Sequence, residues 1–223
     1  MKILLLGATG LVGTELRKLL QEDLRVRALT CLVRRPFPQG SAPAKERMEV
    51  VDFNRLTDYK DLFAVDAVIC ALGTTIKTAG SQAAFASVDL ELVRAAGLLA
   101  RSQGVSRFLV VSAHGARDTS PIFYNRTKGE MERALAAMGF PYLTIAQPSL
   151  LLGDRKEYRR GERWLQSLVS PVLRWIPAAW RPIYAYQVAK SLMGDLERSN
   201  KGIKYLENRF MVRQYPFSQA PNL

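Results

Sequence analysis

One stretch limits what this chain can fold into: the loop Gly7-Ala8-Thr9-Gly10-Leu11-Val12-Gly13. It follows the apolar run Lys2-Ile3-Leu4-Leu5-Leu6 and opens into a helix-patterned stretch, residues 11–20, so a buried strand passes through a glycine turn into a helix. Gly7 can take the backbone angles of a tight turn, Gly10 lets the main chain approach a pyrophosphate, and Gly13 allows close helix-to-strand packing. The unpaired N–H groups and positive dipole end of the helix then face the phosphates, which makes Thr9, Leu11 and Val12 cofactor-binding positions together with the glycines. An ordinary glycine-rich turn has the same letters; the position directly after a strand-like run favours the dinucleotide reading.

Residues 25–33 alternate and then become solidly apolar, as a second strand does, and end in Arg34-Arg35-Pro36. A loop that prefers NAD places Asp or Glu about 20 residues beyond its glycines for the ribose 2′-hydroxyl, whereas arginine there suits a 2′-phosphate. Arg34 and Arg35 therefore favour NADP(H), against the alternative of a basic loop with no ligand.

The rest alternates in the same way. Residues 36–45 read as a loop, 48–51 as a short strand ending in Asp52-Phe53 beside the adenine pocket, and 56–63 as a short helix. Residues 67–71 form a buried strand closing in Leu72-Gly73-Thr74-Thr75, a second glycine turn where open α/β sheets bind ligands. A long helix over 83–103 carries its apolar face on Phe85, Val88, Leu92, Ala95 and Leu99, with Asp89 either aimed at the site or solvated. Strand 107–112, helix 123–138 and strand 142–146 follow. The expected fold is α/β, a doubly wound parallel sheet, in one domain, with a dinucleotide-binding core over 1–150 and a small C-terminal, substrate-side lobe over 151–223. In that lobe a basic, tryptophan-bearing stretch, 155–181, suits a lid over the reactive end of the cofactor; a helix over 186–196 and a short strand near 203–206 complete it.

The net charge of +12 is spread along the chain without a nucleic-acid-binding module, so it reads as a solvated face that partly serves an anionic cofactor, with no nucleic-acid partner. Cys31 and Cys70 sit in apolar runs and read as buried, reduced thiols. No apolar run approaches the roughly 18 residues of a membrane span, and none reads as a secretory leader, so the cytoplasm is the expected location. The long apolar-faced helices make a homodimer plausible, although those faces also serve to cover a sheet.

The chemistry is expected from Ser112, Tyr124 and Lys128. Tyr124 and Lys128 stand four apart at a helix start and share a face, and an ammonium beside a phenol favours the phenolate, which can exchange a proton with a substrate oxygen. Ser112, at the end of the preceding strand, can hydrogen-bond that oxygen, and Lys128 can also hold a nicotinamide ribose. A second Tyr-x-x-x-Lys match, Tyr186 and Lys190, is set aside because no serine-ended strand precedes it and it lies after the expected end of the sheet. His114, the single histidine, has no carboxylate or cysteine cluster near it and reads as a loop residue; no metal site is expected.

These residues together resemble the atypical short-chain dehydrogenase/reductases of the epimerase/dehydratase-like superfamily, and within them the branch of the Tat-interacting proteins. Residues 70–80 and 205–208 add to the likeness, which runs over nearly the whole chain. The resemblance implies a Rossmann-like fold, NADP(H) in the cleft and Tyr124 with Lys128 as the acid/base pair. Three positions depart from the pattern: Ala113 where relatives often carry a second serine, Asp89 where many carry a proton-relay asparagine, and Gln147 before Pro148 where arginine is common.

The leading expectation is an NADP(H)-dependent oxidoreductase acting on a small carbonyl or alcohol. A non-catalytic NADP(H)-binding regulator that reports redox state to a partner is the alternative. An NAD-dependent sugar epimerase would use the same three side chains, but Arg34-Arg35 and the small segment after residue 150 argue against it.

Overall fold

The computed structural model describes residues 1–36, 45–152 and 176–216. Seven parallel strands form one sheet in the order β3-β2-β1-β4-β5-β6-β9. These are β1 Lys2–Leu6, β2 Ala28–Val33, β3 Glu46–Val50, β4 Ala67–Cys70, β5 Arg107–Val111, β6 Tyr142–Gln147 and β9 Gly202–Glu207. Two short strands, β7 Leu151–Leu152 and β8 Ile183–Tyr184, pair separately. The strand order reverses between β1 and β4, and both carboxyl ends there carry glycine turns, so the crevice of a doubly wound sheet opens at that point.

Alternate residues of each central strand feed two separate cores. Ile3 and Leu5 face α1 (Leu11–Glu22) and α6 (Ala185–Asp195), whereas Leu4 and Leu6 face the 3-10 helix Phe53–Phe63, α4 (Val93–Ser102) and α5 (Phe123–Ala136). A strand buried on both faces must be apolar throughout, hence the unbroken Ile-Leu-Leu-Leu run. Two helical turns, α2 Ile76–Ala79 and α3 Gln82–Ala86, follow β4, and α7 (Asn208–Gln214) ends the described chain.

The last strand corrects one premise drawn from the sequence. The segment after residue 150 completes the main sheet: β9 pairs with β6 from Tyr142↔Gly202 to Gln147↔Glu207, and α6 packs on α1. Asp195 ties this edge down, accepting hydrogen bonds from Thr144 and Lys204. The position of Tyr186 and Lys190 after the sheet was therefore no ground for setting them aside; the lack of a serine-ended strand before them remains one.

The helix expected over 83–103 is also different. A π-helical segment, Ser87–Leu92, joins α3 to α4. The extra residue in that turn moves the buried face by one position. Asp89, Val93, Ala96 and Ala100 are buried, not Val88, Leu92, Ala95 and Leu99. Phe85 is buried as expected, Leu92, Ala95 and Leu99 pack partly buried against the same core, and Val88, Leu92 and Ala95 also line the crevice.

Most of the basic, tryptophan-bearing stretch at 155–181, and the expected loop over 36–45 apart from its ends, lie outside the described residues.

Candidate active site

Gly7 takes φ +82°, and a Cβ there would stand 2.4 Å from the Ala71 carbonyl oxygen, so the turn after β1 admits only glycine. A Cβ on Gly13 would stand 1.9 Å from the Gly7 carbonyl oxygen; that contact is what lets α1 start immediately over the strand end. Gly10 is the N-cap of α1 and offers no side-chain cap, leaving the first N–H groups of a twelve-residue helix directed at the crevice.

A cleft of about 1890 Å³ runs across these carboxyl ends. Gly7, Thr9, Gly10 and Leu11 line it beside α1; Arg34, Arg35, Asp52 and Phe53 line the β2–β3 end, and Leu72, Gly73 and Thr74 the β4 side. Of the expected cofactor positions in the loop, Val12 and Gly13 are instead buried behind the wall. Arg34 and Arg35 are exposed and make no ion pair with a described acid. Asp52 accepts a hydrogen bond from the Asn54 N–H at 2.9 Å and caps the 3-10 helix. A crevice across the strand ends, an uncapped helix start, glycines that leave the backbone bare and arginines at one end that pair with no described acid together fit a dinucleotide.

Ser112, Tyr124 and Lys128 do not line this cleft; Lys128 lies behind Gly73, with Tyr124 acting on its charge. The Lys128 ammonium is buried and meets Asp89 Oδ1 at 2.6 Å. A Cβ built on Gly73 would stand 3.4 Å from that same carboxylate oxygen and 3.8 Å from Lys128 Nζ, so the pair sits directly under the glycine turn. The Thr74 N–H donates to Asp89 Oδ2 at 2.9 Å. Asp89 is fully buried, which removes the solvated alternative. Burial works against the Lys128 cation, but Asp89 and then Tyr124 favour it by more together, and its pKa is raised. Tyr124 is half-buried, its ring 5.2 Å from that of Phe85. The Lys128 cation on which Tyr124 acts is already paired with Asp89.

Ser112 is buried at the end of β5, its N–H donating to the Ala146 carbonyl at 2.7 Å. Its hydroxyl completes no hydrogen bond of good geometry among the described residues. Behind it lies a residue the sequence reading missed, Glu132. This carboxyl is 7% exposed and accepts from Gln147 Nε2 at 3.0 and 3.1 Å. Burial raises its pKa, while Ser112, Gln147 and Lys128 act the other way. Tyr124, Lys128 and Glu132 are successive residues four apart on α5, a spacing visible in the sequence once the helix is accepted.

The wall has a further side that the sequence reading did not place. Leu152, Tyr184, Ala185 and Tyr186 also line the cleft, with Lys190 Nζ 5.5 Å from the centre of the Tyr186 ring. His114 packs edge-on against Trp180, ring centres 4.6 Å apart, and among the described residues no group of His, Cys, Asp and Glu could hold a metal ion. Cys31 and Cys70 are free and buried, as expected. No described helix is long and apolar enough to cross a membrane.

Comparison with known proteins agrees with this architecture. A family model described as NAD(P)H-binding matches residues 7–168. Protein HTATIP2 of Rattus norvegicus is 31% identical over 227 residues, covering 99% of this chain and 92% of that protein. A Candida albicans protein, "Protein FMP52, mitochondrial", is 31% identical over 210 residues, covering 91% and 90%. Among solved structures, MoeE5 in complex with UDP-glucuronic acid and NAD superposes with a TM-score of 0.71 at 17% identity, over 92% of this chain and 75% of that one. That likeness concerns the fold. Several similar relatives carry mitochondrial names, which overturns the cytoplasmic location expected from the sequence.

Proposed function

The chain belongs to the NAD(P)H-binding family, with a Rossmann fold of the short-chain dehydrogenase/reductase kind, and from that premise we propose that it is an NADP(H)-dependent oxidoreductase acting on a small carbonyl or alcohol. What supports this reading is an uncapped glycine-loop helix, two arginines at one end of the cleft that pair with no described acid, and a buried Lys128 under Gly73 with Tyr124 one turn before it on α5. Gly7, Thr9, Gly10 and Leu11 would hold the pyrophosphate, and Arg34 with Arg35 a 2′-phosphate. The bound nicotinamide would supply or accept the hydride. In the reducing direction Tyr124 gives its proton to the carbonyl oxygen and recovers one from solvent, while Ser112 donates a hydrogen bond to the same oxygen. Lys128, fixed by Asp89, supports Tyr124 and holds its place under Gly73.

The Asp89–Lys128 pair favours attention to a second reading, a binding protein without turnover, because it quiets the cation on which tyrosine activation depends. Calorimetric titration of the nucleotide-free protein with NADPH and with NADH, followed by a carbonyl screen of wild type and Tyr124→Phe, decides between them. Tighter NADPH binding that weakens at least tenfold in the Arg34→Ser, Arg35→Ser double variant supports the cofactor assignment. Turnover lost in Tyr124→Phe with binding retained supports the enzyme. Binding without turnover of any carbonyl compound leaves the binding protein, and no binding of either nucleotide overturns both.

A further inference from the structure

β9 is the outer strand of the main sheet, and no described strand pairs with its far edge. The Gly202 N–H donates to the Pro141 carbonyl at 2.8 Å, toward β6. Backbone groups alternate in direction along a strand, so the N–H and C=O of Ile203, Tyr205 and Glu207 point the other way, out of the sheet edge. Side chains alternate between the two faces as well. Leu206 enters the core beneath α6 and Lys204 reaches Asp195 at the end of α6, which leaves Ile203 and Tyr205 on the α5 face. Both are exposed there, at 44% and 45%. An open edge with apolar side chains is a template for another strand, and a charged side chain is a common guard against that. The lysine within β9 is not free to act as one, since Asp195 holds it. The apolar faces of α4, α5 and α6, by contrast, go into the two cores of the chain itself.

We propose that β9 pairs antiparallel with β9 of a second copy of this chain, about a two-fold axis through Lys204. Outward backbone groups meet outward groups only when the axis passes through a residue; an axis between two residues would set them against groups already turned to β6. Centred on Lys204, the ladder sets Ile203 against the partner's Tyr205 and Lys201 against the partner's Glu207, and the symmetry makes each contact twice. Centred on Tyr205, it would oppose Ile203 to Glu207 and Lys201 to Arg209; centred on Ile203, it would oppose Lys201 to Tyr205 and Glu207 to Ser199. Charge and apolar surface are both complementary in the Lys204 register alone. Lys201 is exposed and pairs with no described acid, while Glu207 keeps Arg209 at 2.7 Å and has lone pairs for a second cation. The two Lys204 side chains flank the axis on the α6 face, each neutralised by its own Asp195. A ladder of six residues from each copy is small beside the roughly 800 Å² that a partner gives to a standard interface, so the pairing is weak and depends on concentration.

Sedimentation of the full chain over a range of concentrations, in salt that screens the +12 charge of each copy, should show a monomer–dimer equilibrium. Lys201→Glu and Glu207→Lys should each weaken it about tenfold, because like charges then face each other at two places. Mixing those two variants should restore association, since each carries the charge that the other lacks. Both positions are at the surface, so the variants test pairing and not folding. A cysteine scan reads the register separately. Residue 204 of the two copies forms the close, non-hydrogen-bonded pair, with Cα atoms about 4.5 Å apart and within disulfide range. Mild oxidation should therefore join Lys204→Cys into a covalent dimer at least tenfold faster than Ile203→Cys or Tyr205→Cys, which lie offset from their own copies; buried Cys31 and Cys70 add no background. A chain that stays monomeric overturns the proposal and leaves the edge to a strand of a different protein. A dimer that neither charge variant weakens is built on another face, and faster cross-linking at 203 or 205 than at 204 means another register; either result overturns it as well.

Discussion

Asp89 and Lys128 meet at 2.6 Å with both side chains out of reach of water, directly behind Gly73, which lines the cleft. Taking two charges out of water is costly, and removing one partner leaves the other uncompensated. Asp89→Leu should therefore lower the unfolding free energy by about 3 to 5 kcal/mol, read by urea denaturation. Asp89→Leu combined with Lys128→Met, which leaves no buried charge, should recover much of that loss. A double variant as unstable as the single one would mean that shape, not charge, holds this part of the core.

The glycine loop makes a sharper demand. A methyl group on Gly13 would overlap the Gly7 carbonyl oxygen at 1.9 Å, and both atoms belong to backbone that cannot swing aside. Gly13→Ala should push α1 off the strand end, cost more than the roughly 1 to 3 kcal/mol of ordinary overpacking, and abolish NADPH binding in the calorimeter. Gly10→Ala meets nothing nearer than 3.4 Å in the folded chain, so it should fold normally and fail only when the nucleotide is added.

Much of this arrangement was legible in the residues. The parallel sheet followed from apolar runs too continuous for a one-sided strand, and the loop glycines from their position between β1 and α1. Three things were not. The π-helical turn at Ser87–Leu92 has no composition signal, yet its one-residue advance takes Asp89 into the core and turns Val88 and Leu92 to the cleft. β9 is mostly exposed, as an edge strand can be, so its pattern could not reveal that it extends the main sheet beyond β6. Glu132 reads as a helix-surface acid until the tertiary fold brings Gln147 and Ser112 against it. Propensity and periodicity are local, and each of these depends on a contact made elsewhere in the chain.

Cys31 and Cys70 are predicted to be inert. Burial is the chief reason that each thiol is pushed up to about 12. At pH 8 that leaves about one thiolate in ten thousand, and the thiolate is the reactive form. A thiol reagent should label neither cysteine in the native protein over the time in which urea-unfolded chains are labelled at both. Rapid native labelling of Cys70, which lies within reach of the Lys128 and Asp89 charges, would show that the cluster opens to solvent.

The acid limb of stability should also report Glu132. Its folded pKa is raised above the ordinary value of 4.5, so the folded chain binds that proton more tightly than the unfolded chain does. Between the two midpoints the native state carries more protons at this position, and the linkage slope makes stability fall as pH rises. The stabilising contribution is thus fully present below about 4.5 and is lost as pH climbs through the raised folded midpoint. Glu132→Gln cannot ionise and loses nothing over that window. Urea midpoints measured from pH 4 upward should show the variant gaining on wild type until the folded midpoint is passed, after which the difference levels off. Gln147→Arg should act in the opposite sense, because a cation beside Glu132 lowers the folded midpoint and favours the ionised form that wild type is penalised for holding. If the variant and wild type ran parallel with pH, the buried carboxyl would have to be titrating as it does in the unfolded chain.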